Sequence, residues 1–264
     1  MKAMLFAAGL GTRLKPLTDT MPKALVPVGG TPMLEHVILK LKEAGCHELV
    51  INIHHFGEQI ISFLQARQNF GLTLHISDER GLLLDTGGGI QKAAPFLAGD
   101  EPFLVHNVDI LSDVDLRALY DHHLHSRNEA TLLASRRQTS RYLLFDHGQR
   151  LCGWMNKDTG QTKPEGFVYD ATRYEAYAFS GIHVISPILL QRMEADGWSG
   201  KFSIMDFYLN TCRKALLGGY LQENLRLMDI GKPETLRQAE AFLSHLCPET
   251  GTRVEYGTSN HFNT

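Results

Sequence analysis

Residues 5–30, LFAAGLGTRLKPLTDTMPKALVPVGG, begin as an apolar run and break into glycine, arginine and lysine. An apolar segment that stops at glycines leaves backbone N–H groups free to converge on an anion, and Arg13 and Lys23 add positive charge around the same turn. The stretch therefore reads as a strand, MKAMLFAA, feeding a phosphate-binding loop. A P-loop requires GxxxxGK[ST], a string that the chain lacks. A dinucleotide fingerprint requires GxGxxG, and Leu14 stands where the third glycine must admit close helix packing. The loop is a phosphate site of another kind.

Outward from this loop, short apolar runs alternate with segments of helical period, the pattern of a parallel sheet with crossover helices. Thr31 offers an N-cap oxygen and Pro32 suits the first helical position, while Leu34, Val37, Ile38 and Leu41 form one apolar face that ends near Gly45. ELVINIH follows as a strand, residues 58–66 as a helix and LTLHIS as a third strand. LDTGGGIQKAAPFL reads as a glycine-rich entry to a helix, followed by the strand PFLVHNVD. The second half is less regular: LLASRR, RYLLFD and RLCGWM read as strands beside the parallel set, and residues 157–176 as a polar loop. AFSGIHVIS returns as a strand, and helices are expected after Ser186-Pro187, near SIMDFYLNTCRKALL and at KPETLRQAEAFLSHL. Short strands flank Asn224. One domain over residues 1–246, a mixed and mostly parallel α/β sheet, with a tail over 247–264, is the expected organisation.

Composition narrows the partners. Of 264 residues, 43% are hydrophobic and 21% charged, as in ordinary globular chains, and the formal charge of −3 gives no global attraction to nucleic-acid polymers or anionic membranes. No stretch approaches a membrane span, and no export signal is evident, so the four separated cysteines, without CxxC, are expected to be reduced thiols in the cytoplasm. The histidines at 54–55 and 122–125 lack an HExxH arrangement and are read as packing or surface groups. Nothing in the sequence sets an oligomeric state.

AAGLGTRLKPLT followed by PKALVPVGGTPML resembles the sugar-1-phosphate nucleotidyltransferases. Their linked motifs, a GxGTR turn with PLT and then PK-x-x-x-P-[VI], are matched at Ala8, Gly9, Gly11, Thr12, Arg13, Pro16, Leu17, Thr18, Pro22, Lys23, Pro27 and Val28. The resemblance implies a Rossmann-like three-layer sandwich of the GT-A-like nucleotidyltransferase type. It also implies an enzyme that joins an NTP to a sugar 1-phosphate and releases pyrophosphate. By the same resemblance, Gly9, Gly11, Thr12 and Arg13 cradle the pyrophosphate portion, Lys23 lies near the α-phosphate, and Ala7 and Ala8 belong to the nucleotide site, their AAG string leaning toward a pyrimidine. Such a reaction asks the protein for alignment and charge neutralisation, with little covalent work.

A polyphosphate arrives with Mg²⁺, which favours carboxylate and phosphate oxygens. Asp109, at the end of FLVHNVD, matches the family's strand-end aspartate, although Val108 stands where a small residue is usual. Asp229 opens DIGKPE, a match to D-[VI]-G-[TK]-P-E, and both aspartates are implied metal ligands. Asp85 to Ile90, DTGGGI, resembles the segment of the branch that transfers uridylyl groups to N-acetylmuramic acid 1-phosphate, which implicates Asp85, Gly87 and Gly88 in base and ribose contact and favours UTP. Asn107, Ser180, Gly181 and Lys157 are implied acceptor contacts, with Lys163 a rival for the phosphate-gripping lysine.

Three alternatives stay open: a guanylyltransferase acting on mannose or heptose 1-phosphate, a metal-dependent glycosyltransferase using Asp113 and Asp115, and a nucleotide-sugar binder without chemistry. An N-cap role before LRALYDHHL is the ordinary reading of Asp115.

Overall fold

A computed structural model describes residues 1–246; the tail expected over 247–264 lies outside the described residues. Chain order gives β1 (Lys2–Phe6), β2 (Pro27–Val28), β3 (Thr31–Pro32), α1 (Met33–Glu43), β4 (Glu48–Ile53), α2 (Gly57–Ala66), β5 (Thr73–Asp78) and α3 (Asp85–Leu97). There follow β6 (Phe103–Asn107), β7 (Ile110–Ser112), α4 (Leu116–His125), β8 (Ala130–Ser135), β9 (Arg141–Phe145), β10 (Leu151–Asn156) and β11 (Thr162–Lys163). The last elements are β12 (Glu175–Ile185), α5 (Ile188–Ala195), α6 (Ile204–Thr211), β13 (Leu217–Gln222), β14 (Leu227–Asp229) and α7 (Pro233–Leu246).

Alternation along each strand sends side chains to opposite faces and so builds two cores. Ala3, Leu5, Leu49, Ile51 and Leu104 face α1, α2, α4 and α7. Met4, Val50, Phe103 and Val105 face α3, α5 and α6. The result is the expected three-layer sandwich. Within the sheet, β5, β4, β1 and β6 are parallel, β13 is parallel to β8, and β12 alone runs the other way between β6 and β8. The β9–β10–β11 ribbon attaches to the first half of β12. Among the described residues no helix is long and apolar enough to cross a membrane.

After β1 the chain moves outward through β4 and β5, then crosses by α3 to place β6 on the other side of β1. Strand order reverses there, and the crevice beyond the carboxyl ends of β1 and β6 is where such sheets bind ligands. Two local expectations fail. Thr31 belongs to β3 and makes no cap bond; Pro32 precedes α1 instead, because the β2–β3 turn through Gly29 and Gly30 draws Thr31 into pairing with Val28. Gly87, Gly88 and Gly89 lie inside α3 rather than in a loop before it.

Candidate active site

Where β1 ends, Gly11 takes a left-handed φ of 64° and turns the chain into a short 3₁₀ turn, Thr12–Leu14. A side chain is not tolerated at that position: a Cβ on Gly11 would lie 2.8 Å from Thr18 Cγ2 and 3.0 Å from Lys23 Cβ. Thr18 Oγ1 donates to the Gly11 carbonyl at 2.9 Å and closes the loop on itself. The amides of Gly9, Leu10 and Gly11 have no protein acceptor among the described residues. Thr12 and Arg13 are exposed beside them.

The Ala7 and Ala8 amides are bonded within the protein and so do not add to the free donors of the loop. Asn52 Oδ1, on β4, accepts from Ala7 N–H at 2.8 Å and from Ala8 N–H at 3.2 Å. Asn52 Nδ2 in turn donates to Glu79 Oε1 at 2.7 Å, and Glu79 Oε2 accepts from Leu84 N–H at 3.0 Å. Sequence reasoning missed both residues. A polar residue within the apolar ELVINI hints at Asn52, but nothing local marks Glu79 as its partner.

A cleft of about 340 Å³ opens at the carboxyl ends of β1 and β6. Its walls bring together Ala8, Gly9, Lys23, Asp85, Asn107 and Asp109, six of the residues named from sequence. Lys23 is nearly buried, and its Nζ is ion-paired with Asp109 Oδ2. Lys201 and Thr86 also face this space and were not foreseen.

Asp109 and Asp229, distant in sequence, meet through a two-strand ladder. β7 and β14 pair antiparallel with Asp229 opposite Ile110, and Ile230 N–H donates to the Asp109 carbonyl at 2.8 Å. Partial removal from water raises the Asp229 carboxyl above its ordinary range, and the negative charge of Asp109 adds to this, against the pull of Lys23, Arg13 and Arg137. Arg13 closes the cluster from the phosphate loop: a Cβ on Gly231 would lie 2.6 Å from Arg13 Nη2 and 2.8 Å from Asp229 Oδ1. Arg137, the last arginine of LLASRR, donates to the Phe179 carbonyl at 2.7 Å beside this group and was also missed. Burial lowers its pKa from the usual value without discharging it.

Other assignments change. Gly87 and Gly88 N–H both donate to the Phe202 carbonyl, at 2.9 and 3.2 Å, so these amides are not available to a base. Their missing side chains make room for protein: a Cβ on Gly87 would meet the Phe202 ring at 2.3 Å, and one on Gly88 the Gly200 carbonyl at 2.1 Å. Ser180 is buried and its hydroxyl has no partner, so it does not present itself to an acceptor. Gly181, at φ 71°, brings β12 against Asn107, whose Nδ2 would lie 2.6 Å from an added Cβ.

Lys157 lines a separate cavity of about 570 Å³ with Tyr142, Met155, Thr162 and Tyr169, not the cleft of Asp109. Lys163 is engaged by Asp206 at 2.9 Å over the Trp154 ring. The glycosyltransferase alternative loses both carboxylates. Asp115 Oδ1 caps α4 by accepting from Ala118 N–H at 2.9 Å, and Asp113 is ion-paired with Arg226 at 2.8 Å.

Comparison with known proteins agrees with this geometry. The nucleotidyl transferase family profile matches residues 2–245. An N-acetylmuramate α-1-phosphate uridylyltransferase of Caulobacter vibrioides is 32% identical over 92% of this chain and 96% of its own. A protein of the same name from Neisseria meningitidis is 45% identical over 46% of this chain and 52% of its own, and a mannose-1-phosphate guanyltransferase of Pichia angusta is 30% identical over 94% and 64%. Among solved structures, one described as a putative glucose-1-phosphate thymidylyltransferase from Bacillus anthracis superposes with a TM-score of 0.75 at 20% identity, covering 91% of this chain and 94% of that one. With the phosphate loop, the converging cations and the paired aspartates in place, this chain belongs to the nucleotidyl transferase family, among its sugar-1-phosphate nucleotidyltransferases.

Proposed function

We propose that the chain transfers a uridylyl group from UTP to N-acetylmuramic acid α-1-phosphate and releases pyrophosphate. The observation that carries this reading is the meeting of Arg13, Lys23, Asp109 and Asp229 around one mouth of the cleft. The Caulobacter and Neisseria relatives support the uridylyl and N-acetylmuramate halves of it. UTP is a cytoplasmic solute, so the reaction belongs in that compartment.

In the reaction, an oxygen of the acceptor phosphate bonds to the α-phosphorus while the bond from that phosphorus to the α–β bridging oxygen breaks. The electron pair leaves with pyrophosphate, and no protein nucleophile is required. The chain contributes alignment and neutralisation. The unengaged amides of Gly9 to Gly11, with Thr12 and Arg13, bind the β- and γ-phosphates and stabilise the leaving group. Lys23 neutralises the α-phosphate. Base recognition falls to the segment ending in Asp85 and Thr86, while Asn107 and the Gly181 backbone orient the acceptor.

Asp109 and Asp229 would hold Mg²⁺ between them. Their mutual repulsion, felt in the raised Asp229 carboxyl, suits a divalent ion. When bound, the ion supplies further neutralisation of phosphate charge.

The test is pyrophosphate release from four NTPs against N-acetylmuramic acid, mannose, glucose and heptose 1-phosphates. UTP with N-acetylmuramic acid 1-phosphate is the expected best pair. A preference for GTP with mannose 1-phosphate would replace this reading by the guanylyltransferase one. Asp109→Asn and Asp229→Asn are each expected to lower turnover by about two powers of ten or more with the fold retained. Near-normal rates in either variant reject the metal assignment, as does full activity in excess chelator.

A further inference from the structure

One carboxylate in the cleft wall has no part in the reaction above. Glu79 is 0% exposed and its two oxygens accept only from neutral donors, Asn52 Nδ2 and Leu84 N–H. Asn52 borders the same cleft and is 2% exposed. We propose that Asn52 and Glu79 are positioning residues that set the phosphate loop, and that their donor and acceptor order is the working feature. The proposal rests on the cleft being a nucleotide site.

Hydrogen-bond parity fixes the order of these two side chains. The chain of hydrogen bonds begins at the Ala7 and Ala8 N–H groups and ends at the Leu84 N–H, and all of these can only donate. Two side chains that bridge donors at both ends must offer an acceptor at each end and one donor between them. A carboxamide and a carboxyl group meet that condition; two carboxamides do not, and two carboxyls do so only by sharing a proton. Asn52 turns its NH₂ toward Glu79 and its oxygen toward Ala7 and Ala8. Held there, the strand end delivers Gly9, Leu10 and Gly11 with their amides unengaged.

The same glutamate ties down the segment that leads into α3, so one buried group registers two walls of the cleft. Gly89 gives it room, since a Cβ there would lie 2.9 Å from Glu79 Oε1 and 3.5 Å from Asn52 Nδ2.

The parity can be broken and restored with nearly isosteric changes. Glu79→Gln leaves two donors face to face, toward Asn52 or toward Leu84, whereas Asn52→Asp sets two carboxyls face to face, where one shared proton restores the pattern. The buried mismatch in Glu79→Gln is expected to raise KM for UTP at least about tenfold. The exchanged pair, Asn52→Asp with Glu79→Gln, again offers acceptors to both ends, and its KM should return to within about threefold of the wild type. Amide hydrogen exchange over residues 5–14 should accelerate in Glu79→Gln and slow again in the exchanged pair.

A merely structural requirement for these side chains gives no such rescue. An exchanged pair that folds with KM and exchange no better than Glu79→Gln overturns the proposal, and so does Glu79→Gln with both quantities unchanged. If a single variant fails to fold, the exchanged pair alone decides. If the wild type releases no pyrophosphate with any of the sugar phosphates, the functional reading falls, and the exchange measurement still decides the parity.

Discussion

At the scale of single residues, Lys23 joins two duties. It neutralises Asp109 in the cleft wall and, under the proposed function, meets the nucleotide's phosphates. Lys23→Met is expected to lower kcat about a hundredfold, as for loss of one transition-state contact, in a steady-state pyrophosphate assay. Gly231 acts by having no side chain. Its Cβ would press on the tip of Arg13 and on the Asp229 carboxylate, and Arg13 is a flexible side chain able to move away. Gly231→Ala is therefore expected to reduce kcat/KM at least about tenfold while leaving thermal unfolding close to the wild type. A large loss of stability without loss of rate contradicts this. Asp115 works for the helix alone: Asp115→Ala should cost about 1 kcal/mol in urea unfolding through the lost cap, with turnover preserved. Arg13, Lys23, Asp109 and Asp229 were picked out by motifs that resemble those of the family, and the fold brings the four together. Asn52 and Glu79 were not named, because only the folded sheet makes their hydrogen bonds visible.

At the scale of elements, the glycines of α3 illustrate what a motif leaves open. Glycine records that a side chain is excluded, not what fills the space. In DTGGGI the space is filled by Phe202, by the Gly200 carbonyl and by Glu79, all supplied by other parts of the chain. Gly88→Ala forces a Cβ to 2.1 Å from a backbone oxygen that cannot rotate away. A loss of about 1–3 kcal/mol is expected, measured by denaturant unfolding, because helix and loop must separate. The helices and central strands were readable from their periodicity; α1 does bury Leu34, Val37, Ile38 and Leu41. The start of α1 was misread because a short β2–β3 pairing competes with Thr31 for the cap role, and such pairing depends on a partner outside the helix.

Across the whole molecule, stability should depend on pH through buried histidines. Burial pushes His123 down to about 4 and His183 to about 3, from an ordinary 6.5. Each ring is bonded while neutral, His123 to Thr131 and Ser186 and His183 to Tyr208. The folded values lie below the unfolded one, so acid favours the unfolded chain, which takes up protons that the native state refuses. Their contribution is complete above pH 6.5 and is lost as pH falls toward 4, by roughly a few kcal/mol for each ring as an upper figure. Urea midpoints should fall steadily between pH 7 and 5; a flat profile contradicts the neutral, buried assignment.

The sequence alone determined the α/β class, the glycine turn after β1 and the cations beside it, because periodicity and loop chemistry are local properties of the chain. Tertiary structure decided which amides stay free, which glycines face protein rather than ligand, and which of the acidic residues meet. Those outcomes depend on partners far away in sequence: β7 finds β14, Asn52 finds both the loop and Glu79, and Phe202 occupies the space beside α3. A donor buried in a fold is satisfied once, and the sequence does not say by whom.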